Sequence, residues 1–168
     1  MPVQRSAATE DAKAILNRLR KLVRALRMFD RQAQSRYGLG AAQMFILHVL
    51  SHDGDDISLN ELADRTATDQ SSASLAVGKL VEEGHVRRTT SSEDRRQVRL
   101  SLTPKGRALV KRAPPAAQER ILESVGTMSA RERTQLMALL DKLLDGMNAD
   151  GQRPGMFFQD DAPARKRK

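Results

Sequence analysis

Residues 59–109 read LNELADRTATDQSSASLAVGKLVEEGHVRRTTSSEDRRQVRLSLTPKGRAL, and this stretch decides the fold. Two periodicities follow each other in it: apolar residues at helical spacing come first, and strict alternation of apolar and polar residues comes after. Ser58, just before the stretch, stands three residues ahead of Glu61, which is the spacing of a capping box at the start of a helix. We therefore predict a short helix over about 58–66.

A second helix follows after a tight turn. Thr68 or Asp69 can cap its start, and Gly84 can take the left-handed conformation that commonly ends a helix. Beyond Gly84, residues 86–90 are rich in β-branched side chains, and residues 98–102 alternate between apolar and polar. The sequence therefore predicts a β-hairpin with a long polar tip.

Long amphipathic helices are predicted on both sides of this core. On the N-terminal side, apolar residues from Ile15 to Phe29 recur at steps of four and three, which indicates a helix over about 9–36. The sequence GLG at 38–40 breaks the chain, and 41–50 is typical of a short, largely buried helix. The stripe on the first helix needs a surface to pack against.

On the C-terminal side, Thr103 followed by Pro104 is a good pair for the cap and first turn of a helix. Residues 114–115 are both proline and predict a break, because proline lacks the amide donor and its ring crowds the preceding turn. A second capping box, SARE at 129–132, opens a last helix. Its apolar stripe steps through Leu136, Leu140, Leu143 and Met147.

Composition removes several classes of function. The 168 residues contain no cysteine, which excludes a disulfide framework, a thiolate nucleophile, a cysteine-based zinc site and a thiol redox sensor. No apolar run approaches the roughly eighteen residues of a membrane helix, and the first residues lack the apolar region of a secretion signal. We therefore expect a cytoplasmic protein without a membrane partner. Nothing resembles a Ser-His-Asp arrangement, a phosphate-binding loop or a nucleophile elbow, so we expect neither an enzyme nor a cofactor.

The formal net charge of +8 is unevenly distributed. Residues 1–38 carry nine Lys and Arg against three acids, 85–111 carry eight against two, and 151–168 carry five against two. In contrast, 39–84 carry two against eight. A basic chain favours binding to a polyanion, either nucleic acid or an anionic membrane surface. The alternative is that the arginines only lie exposed on solvated helix faces.

A set of motifs lies in register across the predicted core. The triplet Asp94-Arg95-Arg96 is followed by Leu100, Leu102, Thr103 and Gly106, and the preceding helix carries Ser74, Val77, Leu80 and Gly84. Together, over about 39–110, these residues resemble the wing and the recognition helix of the MarR family of bacterial transcriptional regulators.

The resemblance implies a mainly α fold with a small β-hairpin, in which a winged helix-turn-helix DNA-binding lobe joins an N- and C-terminal helical dimerisation lobe. We expect a single domain over 1–148, with the DNA-binding lobe at about 39–110 and the dimerisation helices at about 9–36 and 114–147. Residues 149–168 contain glycine, proline and charge without a period, so we expect a disordered or weakly docked tail.

The second helix of the core is the candidate for the major groove of double-stranded DNA, because side chains on its N-terminal turns can reach base edges. Its candidate contacts are short or flexible polar groups: Gln70, Ser71, Ser72 and Ser74. Lys79 would contact the DNA backbone. Ser58, Asn60 and the first-turn amides of the preceding helix could hold a phosphate. The alternative is that the serines act only as helix caps.

The tip of the hairpin is the candidate minor-groove element. Within the resemblance, Asp94 orients the tip, Arg96 inserts into the groove, and Arg95 faces phosphate or supports the tip. A guanidinium suits the negative potential of a narrow A·T-rich groove, and a carboxylate can fix its rotamer. The alternative is a solvated turn whose ion pairs contribute at most about 1 kcal/mol. Two residues depart from the family pattern: Leu75 stands where many members carry arginine, and Gly40 replaces a capping Ser or Thr.

The stripes of the first and last helices predict a homodimer, which would bind a palindromic operator. The alternative is that these two helices pack against each other within one monomer. The resemblance also implies a repressor that a small-molecule effector, often an aromatic acid or another lipophilic compound, releases from DNA. Met44, Phe45 and His48 could line the effector pocket or belong to the core, and they stay unassigned.

Other functions leave weaker traces in the sequence. Two histidines and three aspartates superficially suit a metal ion: His48, His52, Asp53, Asp55 and Asp56. Histidines four residues apart also fall on one helix face by chance, so we predict no metal site. The main alternative function is a winged-helix protein-interaction module without DNA binding. The basic run at 165–168 could also bind an anionic membrane surface.

Overall fold

The computed structural model describes residues 3–52, 56–90, 98–147 and 155–156. Over these residues the chain forms seven α-helices and three β-strands: α1 (Val3–Tyr37), α2 (Ala41–His52), β1 (Ile57–Ser58), α3 (Leu59–Arg65), α4 (Gln70–Glu82), β2 (Val86–Thr90), β3 (Val98–Leu102), α5 (Pro104–Val110), α6 (Ala117–Gly126) and α7 (Ala130–Gly146). The mainly helical winged-helix fold is confirmed. None of the helices in this part of the chain combines the length and apolar character needed to cross a bilayer.

Helix α2 lies at the centre of the core. Almost its whole circumference is buried, through Ala41, Ala42, Met44, Phe45, Ile46, Leu47, His48 and Leu50. A helix that is apolar all round is stable only when other elements cover it. Helices α1, α3, α4, α5 and α6 and strand β3 all pack against it.

The start of α2 receives help from α1. Gly40 has no side chain that could cap the helix, and the sequence therefore predicted a weak start there. Asp30 of α1 accepts a hydrogen bond from the Ala41 N–H at 2.7 Å, so a carboxylate from another helix supplies the missing cap.

Helices α3 and α4 form the helix-turn-helix, with the predicted capping residues at their starts. The Ser58 hydroxyl accepts from the Glu61 N–H at 3.1 Å, while the Ser58 N–H donates to Glu61 Oε2 at 2.6 Å. Asp69, rather than Thr68, caps α4. Gly84 follows α4 with a φ of +74°, the left-handed conformation that the sequence predicted for it.

The wing is part of a three-stranded antiparallel sheet in the order β1-β3-β2. Strands β2 and β3 form the predicted hairpin, with Val86 opposite Leu102. Strand β1 adds a third, short edge through the pair Ile57 and Leu100. The sequence did not predict β1, because two residues are too few to show an alternation. Residues 91–97, the tip of the hairpin, lie outside the described residues.

The remaining helices begin where capping predicted. Thr103 caps α5 and Ser129 caps α7, the latter in a reciprocal capping box with Glu132. The double proline lies between the end of α5 and the start of α6, as predicted. Helix α7 contains no buried residue. The C-terminal half of α1, in contrast, packs against α2 and α6 through the buried Leu26.

Gly106 allows the first turn of α5 to lie directly on the end of α4. A Cβ atom at this position would lie 2.2 Å from the carbonyl oxygen of His85. The same carbonyl accepts from the Thr103 N–H at 3.0 Å, and the Thr103 hydroxyl donates to the Gly84 carbonyl at 2.7 Å. Because the obstacle is backbone, a side chain here cannot be accommodated by a change of rotamer.

Gly106→Ala should therefore lower the free energy of unfolding by about 1–3 kcal/mol, the usual range for overpacking. Gly78→Ala is the matched control, because nothing lies within 4 Å of a Cβ there and the position is inside α4. That control should stabilise the protein by up to about 1 kcal/mol. Urea unfolding of both variants measures the difference, and equal midpoints would contradict the close contact at Gly106.

Candidate DNA interface and effector cavity

Helix α4 has one face in the core and the opposite face in solvent. Ala73, Ala76, Val77 and Leu80 are buried. Ser71, Leu75 and Lys79, at intervals of four, are exposed, and Leu75 retains 51% of its accessible surface. The helix therefore presents a fixed row of side chains outward.

Four of the predicted contact residues share a shallow groove along this outward face: Gln70, Ser71, Ser74 and Lys79. The groove also contains Gln43 and Leu59 from the neighbouring helices. The structure thus brings together most of the polar groups that the sequence assigned to the major groove.

Ser72 lies on the flank of α4 instead. Its hydroxyl donates to Asp69 Oδ2 at 2.7 Å, and its N–H donates to Asp69 Oδ1 at 3.0 Å. These hydrogen bonds lower the pKa of Asp69, and the bond from the Ser72 hydroxyl has the largest effect. The carboxylate is therefore ionised at neutral pH and accepts both hydrogen bonds from Ser72. The sequence could not show this, because a serine three residues after an aspartate suits either a cap partner or a base contact.

Ser58 is also hydrogen-bonded within the protein, to Glu61. Its hydrogen bonds to Glu61, the backbone N–H first, lower the pKa of that carboxyl. An ionised Glu61 therefore occupies the start of α3, where a phosphate was predicted to bind. Asn60 beside it is exposed, so it keeps its place among the candidate contacts.

Arg88 is a candidate that the sequence analysis missed. It pairs opposite Leu100 in the hairpin, which places it on the side of the sheet that faces α4. Its Nη2 donates to the Ser74 carbonyl at 3.4 Å, and the residue lines the same groove as Lys79. The sequence contained a signal for this position: Arg88 stands two residues after the apolar Val86, and residues two apart in a strand lie on the same face of the sheet.

Arg99 of β3 joins the wing to the helix-turn-helix. Its Nη1 donates to the Asp56 carbonyl at 3.2 Å and lies 3.5 Å from Glu61 Oε2. Asp94, Arg95 and Arg96 fall at the tip of the hairpin, outside the described residues, so their roles stay predictions.

A larger cavity of about 1310 Å³ lies between α1 and the starts of α2 and α6. Its apolar wall includes Leu16, Val23 and Met44. None of the lining residues in the described part of the chain is acidic. Six of them are arginines: Arg20, Arg24, Arg27, Arg31, Arg36 and Arg120. An apolar cavity with concentrated positive charge suits a small organic anion.

The three residues left open by the sequence are now placed. All three are buried, and Met44 also lines the cavity. His48 Nδ1 contacts Glu119 Oε2 of α6, and that oxygen also accepts from the Ala116 N–H at 2.6 Å.

The histidine pair does not form part of a metal cluster within the described residues. His48 faces Glu119, while His52 Nδ1 donates to the His48 carbonyl of its own helix at 2.9 Å. Asp53 and Asp55 lie outside the part of the chain that the structure describes. Among the residues it does describe, no group of three potential ligands surrounds a metal position.

Comparison with known proteins agrees with this geometry. The sequence profile of the MarR family matches residues 37–97. The HTH-type transcriptional regulator PecS of Dickeya dadantii (strain 3937) is 30% identical over 111 residues, which are 65% of this chain and 67% of that protein. The HTH-type transcriptional repressor NicR of Pseudomonas putida is 32% identical over 101 residues, 60% of this chain and 64% of that protein.

A solved structure gives the same result. BpsR from Bordetella bronchiseptica, whose DNA binding is regulated by 6-hydroxynicotinic acid, superposes with a TM-score of 0.53 at 29% identity and covers 77% of this chain and 91% of its own. The core profile, the relatives and the shared fold together show that this chain belongs to the MarR family of transcriptional regulators and is a DNA-binding regulator, not an enzyme.

Proposed function

We propose that this regulator binds a palindromic operator as a homodimer, with α4 of each protomer in a major groove, and that a small organic anion releases it from DNA. The observation that carries the proposal is the outward face of α4, which is polar, exposed and held rigid by its buried opposite face. A helix presented in this way fits the major groove of B-DNA.

The base-reading contacts come from the start of α4. Gln70 can pair with adenine through two hydrogen bonds, and Ser71 and Ser74 can serve as donors or acceptors. Lys79 and Arg88 supply the positive charge along the same groove and would meet phosphates. Ser72 and Ser58 contribute by fixing the starts of α4 and α3, and Asn60 meets the backbone beside them.

The wing supplies the minor-groove contact. Strands β2 and β3, which flank residues 91–97, pair with each other, and β2 packs against α4. In this proposal Arg96 enters the groove, Asp94 fixes its orientation, and Arg95 faces phosphate. The proposed DNA-binding lobe extends over about 39–110.

Exposed apolar surface on α1 and α7 supports the homodimer. Large apolar side chains remain exposed on α7, including Met137 at 58%, Leu139 at 66% and Met147 at 66%, and Ile15 and Leu22 of α1 are 53% and 51% exposed. Because α7 has no buried residue, packing of α1 and α7 within one monomer does not cover this surface. A second copy would cover it, and two-fold symmetry would place two α4 helices about 34 Å apart.

The cavity beside α1 supports the effector class. Six arginines without an acidic neighbour among the described lining residues would attract a carboxylate, and the apolar wall would hold an aromatic ring. The related BpsR responds to 6-hydroxynicotinic acid, which has this chemistry. Release from DNA on ligand binding makes the protein a repressor in this proposal, as the relative NicR is by name.

The DNA contacts are tested by anisotropy with a duplex from the upstream region of the gene and with a scrambled duplex. Lys79→Ala should weaken binding to both duplexes and reduce the log-log salt slope by about 1 per site. Gln70→Ala should cost about 1–3 kcal/mol on the operator alone. Arg96→Ala should weaken operator binding strongly without changing the melting temperature. Lys142→Ala on α7 is the control, and a loss as large as that of Lys79→Ala would contradict the assignment of α4.

Leu140→Glu should convert the dimer to a monomer, because it places a charge on the apolar stripe of α7, where Leu140 is 43% exposed. Thr134→Glu makes the same change of charge on the polar side of α7 and should leave the dimer intact. Analytical ultracentrifugation measures both. A wild-type protein that sediments as a monomer at micromolar concentration would rule out the dimer.

The effector is tested with 6-hydroxynicotinic acid and with its neutral amide. The acid should raise the melting temperature and release the operator, while the amide should do neither, because the arginines recognise a carboxylate. Arg27→Gln should weaken the response to the acid, since Arg27 lines the cavity. Arg18→Gln, on the same helix but outside the lining, should not. Equal responses to acid and amide would remove the charge-based assignment.

A further inference from the structure

One large apolar side chain stands among the polar groups on the outward face of α4. Leu75 lies between Ser71 and Lys79 at intervals of four residues, and it lines the same groove as they do. Of the large apolar side chains that the structure describes between residues 39 and 110, only Leu75 and Val98 are exposed, and Leu75 is the more exposed of the two at 51%. The fold therefore leaves this leucine outside the core that it builds from the neighbouring ones.

The proposed homodimer does not account for Leu75. The exposed apolar residues assigned to the dimer lie on α1 and α7. Leu75 instead shares its groove mostly with polar side chains, among them Gln70, Ser74 and Arg88. Its surroundings place it in the middle of the surface proposed to read base pairs, so a partner for its apolar side chain is to be sought in the DNA.

Gly78, three residues after Leu75 in α4, leaves the surface beside this leucine open. Residues three apart share a helix face. A Cβ atom at position 78 would meet nothing within 4 Å beyond the backbone of its own helix, and the φ of Gly78 is not positive, unlike that of Gly84. Neither packing nor backbone conformation requires a glycine here, although glycine is less favourable than alanine inside a helix. The missing side chain allows another molecule to approach the helix closely.

The charge of the groove suits a nucleic acid. Lys79 and Arg88 line it against one acidic side chain, Glu82. This surplus of positive charge attracts a polyanion and favours DNA over an apolar protein segment as the molecule that covers Leu75.

The chemistry of base edges narrows the partner of Leu75 to one base. In the major groove adenine, guanine and cytosine present hydrogen-bond donors and acceptors, whereas thymine also presents a methyl group at C5. A leucine side chain has no hydrogen-bonding group. Against a polar base edge it would displace water without replacing the lost hydrogen bonds, which is unfavourable. Against the thymine methyl group it buries apolar surface of both partners, which is favourable.

We propose that Leu75 contacts the C5-methyl group of a thymine in each half of the operator, and that Gly78 lets α4 approach the base pairs closely enough for this contact. The inference rests on the proposed binding of α4 in the major groove, and it adds one defined base to each half-site. One helical turn separates Leu75 from Ser71 and is about 5.4 Å long. The thymine should therefore lie within about two base pairs of the base that Ser71 contacts.

The test replaces thymine by deoxyuridine, one position at a time, in an operator duplex taken from the upstream region of the gene. Uracil pairs with adenine as thymine does and lacks only the C5-methyl group, so a loss of affinity reports that group alone. Wild-type protein should lose about fourfold in affinity at one thymine of each half-site, the factor that corresponds to one buried methyl-sized group. Fluorescence anisotropy measures the affinities.

Variants of Leu75 assign this loss to its side chain. Leu75→Ala should bind the thymine duplex at least about fourfold more weakly and should no longer distinguish thymine from uracil at that position. Leu75→Met keeps a long apolar side chain and should retain the distinction. Leu122→Ala on α6 is the matched control, because Leu122 is also exposed, at 59%, and it should leave the effect of uracil unchanged.

The close approach at Gly78 has its own test. Gly78→Val adds a side chain that a helix restricts largely to one rotamer and that therefore cannot move aside. The variant should lose about tenfold or more in affinity for the operator without a lower melting temperature, because the position is open within the protein. Unchanged affinity would refute the close approach.

Other contrary results are equally distinct. Wild-type protein that tolerates uracil at every thymine would overturn the methyl contact. The contact would also be overturned if Leu75→Ala kept the sensitivity at the same position, because another residue would then read the methyl group, or if Leu75→Ala bound the operator as tightly as wild type. Failure of the underlying function appears earlier: wild-type protein that binds the operator and a scrambled duplex equally would refute recognition by α4 before any base is replaced.

Discussion

Helix α2 is buried on nearly all sides, and the other elements are arranged around it. A helix with apolar residues around its whole circumference must be enclosed, and six other elements supply the enclosure. This requirement brings α4 and the wing together on one side and α1 and α6 on the other. Even the start of α2 depends on tertiary contact, because Asp30 of α1 provides the cap that Gly40 cannot. The surface proposed to read DNA and the cavity proposed to hold an effector are therefore both built on the same helix.

The relative position of α4 and the wing is fixed at one junction. Thr103 binds the carbonyls of Gly84 and His85 through its hydroxyl and its N–H, and Gly106 lets α5 pack against the same backbone. The end of α4, the base of the hairpin and the start of α5 thus form one unit held mostly by backbone groups. Such a unit cannot adjust through side-chain rotamers, so the groove shared by α4 and Arg88 keeps its shape. The proposed reading of a major and a minor groove of one duplex requires this kind of rigidity between α4 and the wing.

Charge is unevenly distributed over the molecule. The helix-turn-helix is acidic, and two of its carboxylates stabilise helix starts: Glu61 accepts from the Ser58 N–H, and Asp69 accepts from the Ser71 and Ser72 N–H groups. Positive charge lies at the edges of this unit, on β2, at the tip of the wing and in the tail. A second concentration lines the cavity beside α1. Helix α2 connects the two regions, since Met44 lines the cavity and belongs, with Phe45 and Leu47, to the core cluster that includes α4 residues. A ligand beside α1 would therefore act on a helix that also supports the face proposed to read DNA.

The sequence by itself determined the order and type of nearly all elements, because capping boxes, the double proline and the change from helical to alternating periodicity are local signals. It also located the outward residues Gln70, Ser71 and Lys79, since a regular helix with one buried face exposes the other. It could not determine β1, the flank position of Ser72, the position of Arg88 beside α4 or the burial of Met156. Three of these depend on which distant segment lies alongside: β3 for Ile57, α4 for Arg88 and the core for Met156. The fourth is local, because the Ser72 hydroxyl bonds Asp69, three residues earlier, in place of facing outward. Local patterns specify what a residue is able to do, whereas the tertiary structure decides what it meets, because packing partners are chosen by the enclosure of the whole core rather than by neighbours in the chain.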